Sequence, residues 1–293
     1  MKGRGNYSLI ITAEHPNGEK VEFDEGSHTY TVVSSGQTLT SATTWISQFF
    51  PEFHAEAVAA KCAGKGKYLN MSKEEILAAW EAEGERGRTE GTCAHLYAEN
   101  RLLGRPLPEP ISERVEQLFI SVDIGIDTLL KHYNLIGTEV ILFDAALGIA
   151  GTADLLMHHP ATRALLILDW KNNKEIKTSN KWERAFKPVS HLESCDRVKY
   201  ALQFSLYKRL ILNGGYFKNL DWDHTRLGLI HLRPGEAPVM MKIEALDEEI
   251  NAMLECNSPA VASETGTGSL YSSGSSYSLF PLKGRGGSPQ VNL

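Results

Sequence analysis

The segment Leu165-Leu166-Ile167-Leu168-Asp169-Trp170-Lys171 constrains this chain more than any other stretch. Four successive aliphatic residues describe a strand buried on both faces, which requires a sheet covered by helices on either side. A carboxylate and an ammonium ending such a strand are costly unless they pair or bind a metal. Side chains alternate along a strand, so Asp169 and Lys171 project to one side and Trp170 to the other. Taken alone, the two charges also fit a structural ion pair at the sheet edge.

A second acid changes the weight of that pattern. Gly151-Thr152-Ala153-Asp154 places Asp154 fifteen residues before Asp169, a spacing that one β-hairpin can close. Two carboxylates side by side repel and raise a pKa. A hard divalent cation such as Mg²⁺ or Mn²⁺ relieves that cost, because it prefers carboxylate oxygens and water. Gly151 leaves room for a phosphate or another backbone to approach. Phosphodiester hydrolysis uses this equipment: a metal polarises the phosphoryl oxygen and activates water, and a neighbouring lysine serves the water or the developing charge.

The surrounding pattern predicts an α/β fold with a mixed central β-sheet flanked by helices. Residues 7–13 and 28–34 read as strands with turns at Asn17-Gly18 and Ser35-Gly36, and a short helix over 41–50 stops at Pro51. Helices are expected over 53–62 and 72–83, the latter opened by a Ser72/Glu75 capping box. Further helices are expected over 89–103, 112–133 and 197–213, with strands over 138–143, 149–158, 164–171 and 225–233. This gives an N-terminal β/α extension (1–87), a core (88–258) and a tail (259–293). Residues 263–293 hold eight Ser and six Gly and are expected to be disordered. Tyr271, Tyr277 and Phe280 within that tail are either compositional or a docking peptide for a replication or recombination protein.

Composition narrows the class. No apolar run among the 293 residues approaches the ~20 that a membrane helix needs, and Leu9-Ile10-Ile11 is too short for a signal-peptide core. A cytoplasmic protein without a membrane partner is expected. Cys62, Cys93, Cys195 and Cys256 form no CxxC pair, so free thiols are expected and no iron–sulfur cluster. The net charge of −6 argues against a nucleic-acid coat protein. Between Arg163 and Lys218, however, twelve basic residues stand against five acidic ones, a local +7. That excess is either a solvated face or a surface for a polyanion.

Gly-Thr-x-Asp followed by Ile-Leu-Asp-Trp-Lys resembles the signature of the PD-(D/E)XK nuclease superfamily. More narrowly, it resembles the RecB-like branch that includes the mitochondrial genome maintenance exonuclease and phage exonucleases. The resemblance covers about residues 88–235. It implies a restriction-endonuclease-like core with Asp154, Asp169 and Lys171 as catalytic residues and the Trp170 carbonyl as a further metal ligand. Gly91-Thr92-Cys93-Ala94-His95 matches a motif whose histidine binds metal, and Glu99 would share the His95 face. Glu139 stands where relatives complete the metal shell with an acid. Gln203 and Tyr207 match a QxxxY motif that holds DNA, and Lys174, Lys177 and Lys181 are candidate phosphate contacts. The implied function is a metal-dependent DNA exonuclease of replication, repair or recombination, and the likeness to phage exonucleases makes a phage-encoded enzyme one expectation. The alternatives are an endonuclease with the same chemistry, or a non-catalytic DNA-end-binding protein.

Overall fold

The computed structural model describes residues 10–256. The expected tail at 259–293, with Tyr271, Tyr277 and Phe280, lies outside the described residues. Four short strands come first: β1 (Ile10–Glu14), β2 (Lys20–Asp24), β3 (Thr29–Val32) and β4 (Thr38–Ser41). Helices α1 (Ala42–Ser47), α2 (Ala55–Cys62), α3 (Lys73–Leu103) and α4 (Glu113–Leu130) follow. A meander of β5 (Asn134–Asp144), β6 (Ile149–His158) and β7 (Ala164–Lys171) leads to α5 (Asp196–Gly214). The hairpin β8 (Asp221–Arg233) and β9 (Glu236–Ile243) precedes α6 (Asp247–Cys256).

The strands form one mixed nine-stranded sheet in the order β1-β2-β3-β4-β6-β7-β8-β9, with β5 pairing β6 off this path. The N-terminal strands join through two parallel pairs, Thr40↔Ile149 and Ser41↔Ala150. The segment expected as an extension therefore shares the sheet of the core. Strands β7 and β8 are parallel, and α5 crosses between them.

Helix α3 differs from the expectation of two helices over 72–83 and 89–103. It is a single helix of 31 residues and crosses the boundary expected between 87 and 88. The capping box is present: Ser72 Oγ accepts from the Glu75 N–H and Glu75 accepts from the Ser72 N–H. Gly104, at φ +65°, ends the helix in a left-handed cap. Pairs such as Arg86–Glu83 and Arg88–Glu85 support the middle, where Gly84, Gly87 and Gly91 each cost about 1 kcal/mol relative to Ala.

Both faces of the sheet are covered, as the Leu165–Lys171 run required. Leu165 and Ile167 pack into a core with α1, α5 and α6, and Leu166, Leu168 and Trp170 pack into another with α3 and α4. Burial of each such side chain stabilises by roughly 1.5–3 kcal/mol. Strand β9 and helix α6 were not anticipated, although Pro234-Gly235 is a turn signal and Gly235 adopts φ +74°. No described helix is long and apolar enough to cross a membrane.

Candidate metal centre and its cleft

Strands β6 and β7 pair from His158↔Leu165 to Leu155↔Leu168. One step beyond the last pair, Asp154 stands opposite Asp169. On the other edge of β6, Glu139 falls between the pairs Thr138↔Leu155 and Val140↔Ala153, level with Asp154. Three acids from three adjoining strands thus share one row across the sheet.

The backbone at that row is irregular. Ala153 and Leu156 pack toward α5 while Leu155 and Met157 pack toward α3 and α4, so the two-residue alternation slips at Asp154. Opposite the slip, Glu139 holds φ +48°, a left-handed conformation that an L side chain adopts at a cost of roughly 1–2 kcal/mol. Strain of this kind persists where the surroundings over-determine it, and it clusters at functional sites. The β4 pairing ends at Ala150 and the β7 pairing begins at Leu155, so among the described residues Gly151–Asp154 has no ladder partner on that edge. The Trp170 N–H instead donates to Asp154 Oδ2 at 3.1 Å.

Helix α3 brings His95 over the row. Its Nδ1 lies 3.3 Å from Asp154 Oδ2 and 3.9 Å from Glu139 Oε1. One ligand atom from each of His95, Glu139 and Asp154 lies within 4.8 Å of the others, a spread that one cation spans. His95 Nε2 is 2.9 Å from the Trp170 carbonyl, so that oxygen orients the imidazole. Lys171 Nζ lies 2.6 Å from Asp169 Oδ1 and 5.0 Å from the centre of the Tyr200 ring. The contact with Oδ1 is off the line a hydrogen bond needs, which leaves this buried oxygen without a hydrogen-bond partner. A donor set of carboxylate oxygens and one imidazole suits Mg²⁺ or Mn²⁺.

The charges confirm the crowding. Burial, then the Asp154 carboxylate, push Asp169 up to about 7 against the pull of Lys171. Burial pulls His95 down, but Asp154, Glu139 and Asp169 outweigh it and hold the imidazolium up to about 9. Burial also acts against the Lys171 ammonium, and Asp169 overcomes it, so Lys171 is held charged well above the usual lysine value. In this state Lys171 is a donor, not a base.

A cleft of about 790 Å³ opens from His95 and Lys171 along the glycine face of α3 toward Tyr68 and Trp80. Its lining carries seven Lys and Arg against four Asp and Glu, so it is locally basic in an acidic chain. Lys174 and Lys177 line it, and Lys181 is exposed on the same loop outside it. Asp196, at the start of α5, fixes this loop by accepting the Lys177 N–H at 3.0 Å. Gly91 makes room for Asn172, whose Oδ1 would meet an added Cβ at 3.2 Å.

The QxxxY pair sits deeper than expected. Tyr207 is 4% exposed and takes a 3.0 Å hydrogen bond from Gln203 Nε2, so a bound strand would meet Gln203 first. The space at Gly151 is filled by the Tyr207 ring, whose Cε1 would lie 2.6 Å from an added Cβ. Glu99 pairs with Arg105 at 2.8 Å. Sequence reasoning missed Tyr200, Asn172, Glu90 and Arg114, which no spacing rule links to the acidic row. Trp182, 93% exposed between Lys181 and Arg184, was also missed, although a Trp among basic residues is a readable signal.

No protein-family model matches this chain, and a search of curated proteins finds no match to it.

Proposed function

We propose that this chain is a divalent-metal-dependent deoxyribonuclease with a restriction-endonuclease-like core, acting as an exonuclease at DNA ends in replication, repair or recombination within the cytoplasm. The observation that carries this reading is the single row of Glu139, Asp154 and Asp169, with His95 above it and Lys171 beside it. A protein that only binds DNA has no need of an acidic row facing a polyanion.

His95, Glu139 and Asp154 would hold Mg²⁺ or Mn²⁺ with Asp169 beside them, while the Trp170 carbonyl, expected as a ligand, meets Nε2 of His95 on the side of the ring away from the acids. When bound, the ion would polarise a phosphoryl oxygen and acidify a water. Asp169 and the Tyr200 ring fix the Lys171 ammonium at the end of β7. From there Lys171 orients the attacking water and offsets the charge that grows on phosphorus-bound oxygen. The Trp170 carbonyl aligns His95, and the Trp170 N–H aligns Asp154. Gln203, Lys174, Lys177 and Lys181 contribute contacts to the strand.

The test is cleavage of labelled linear and circular DNA, single- and double-stranded, with Mg²⁺, Mn²⁺ or chelator. Metal-dependent loss of linear DNA with circles spared is the expected result. Cutting of circles would make the chain an endonuclease. Binding to ends without cleavage in any metal would make it an end-binding protein.

A further inference from the structure

Outside the metal centre, one buried carboxylate carries a charge the chemistry above does not use. Glu90 on α3 is 6% exposed and lines the cleft. It engages two arginines, each through Nε: Arg114 from the first turn of α4 at 2.9 Å, and Arg86 at 3.8 Å. Arg86 also binds Glu83 through Nη2 at 2.5 Å, which occupies its outer edge. Arg114 differs. Its side chain is 43% exposed, and its two Nη groups have no partner among the described residues. A bridge built only to tie α3 to α4 would be expected to use the two-pronged edge of the guanidinium. Here the carboxylate holds the guanidinium by its side and leaves the outer donors for the cleft.

Planar paired donors in a basic cleft select an oxyanion, and phosphate above all. Glu90 and His95 stand five residues apart on α3, and with Arg114 and Lys171 they line the same cleft.

We infer that Arg114 clamps a phosphate of the bound strand other than the scissile one, with buried Glu90 as the residue that positions it. The inference rests on the nuclease reading. It adds a second anchoring point, one that fixes how far an end enters the cleft. The phosphate is either the terminal one or an internal diester.

The full chain, with wild-type Arg114 or with Arg114→Gln, Arg114→Lys or Glu90→Gln, is assayed on oligonucleotides with phosphorylated and unphosphorylated ends. KM and kcat are measured across a salt series, with circular dichroism melts as the control for folding. Arg114→Gln should raise KM about tenfold, more than it lowers kcat, and reduce the salt slope by about one. Arg114→Lys should restore the slope but not the whole KM, because a point charge lacks the fork. Glu90→Gln should raise KM in the same direction. A penalty confined to phosphorylated ends identifies the terminal phosphate, and an equal penalty on all ends identifies an internal one. Wild-type KM and salt slope in Arg114→Gln, with cleavage intact, overturn the clamp and leave the metal centre standing. Wild-type protein that neither cleaves nor binds DNA with any metal removes both.

Discussion

Titration of the metal-free protein with Mn²⁺ across a pH series probes the centre without any substrate. In the absence of metal, Asp169 titrates at about 7 and His95 at about 9. Both must lose a proton before they can serve a cation. One pKa unit corresponds to about 1.4 kcal/mol, so at pH 5 freeing Asp169 costs about 3 kcal/mol and freeing His95 about 5 kcal/mol. If both protons leave on binding, affinity rises about a hundredfold per pH unit up to 7, about tenfold per unit from 7 to 9, and then levels. If only Asp169 yields its proton, the rise is about tenfold per unit and stops near 7. The two groups interact, so these are the steps of the pair and not of either residue alone. Folding stability in chelator runs the opposite way. Asp169 and His95 both have folded values raised above their unfolded ones. The stability they contribute is full below the unfolded values, near 3.8 for Asp169 and 6.5 for His95. It is lost as pH rises through about 7 and about 9. Calorimetry in two buffers of different ionisation enthalpy counts the released protons directly. A Mn²⁺ affinity that is flat between pH 5.5 and 8 would refute the assignment of these groups to the metal.

Three further substitutions test other parts of the structure. Lys171→Ala should lower kcat at least ~100-fold and also lower the melting temperature, because it strips buried Asp169 of its 2.6 Å partner; normal turnover would remove Lys171 from the chemistry. Gly151→Ala drives a Cβ to 2.6 Å from Tyr207 Cε1 and 3.1 Å from Ala42 Cβ. It should destabilise by about 1–3 kcal/mol in thermal melts, and an unchanged melting temperature would contradict the packing. Ser205 is fully buried, donates to the Ala201 carbonyl and accepts the Leu246 N–H. Ser205→Ala should therefore cost about 1–3 kcal/mol with kcat intact, and a loss of activity without a loss of stability would show that its part is not structural.

The sheet and two acids of its row, Asp154 and Asp169, were legible because they rest on short-range rules, whereas Glu139 entered only through the family resemblance. Four aliphatic residues followed by Asp-Trp-Lys specify both faces of β7. A fifteen-residue hairpin spacing is enough to bring Asp154 opposite Asp169. The capping box at Ser72 was readable for the same reason. What sequence concealed depends on depth and on contacts between distant segments. Gln203 and Tyr207 share a helix face in any reading, but only packing against Gly151 decides that Tyr207 is buried. The unbroken course of α3 was hidden by glycines at 84, 87 and 91, whose unfavourable propensity is outweighed by ion pairs and tertiary packing. Glu90 and Arg114 meet from two helices 24 positions apart, and no periodic signal relates them.

The ligands of the row are drawn from distant parts of the chain. Residues 95, 139, 154 and 169 lie on one helix and three strands, so no local segment of the nascent chain holds a complete set of ligands. The cradle exists only where the β5-β6-β7 meander is paired and α3 is docked against it. A cation bound there would act as a lock on the finished fold, worth about 2.7 kcal/mol at a hundred times its dissociation constant. A lesion far from the row that loosens α3 or frays β6 would silence the centre as surely as loss of an acid. Dead variants therefore sort into two groups by whether added metal still raises their melting temperature.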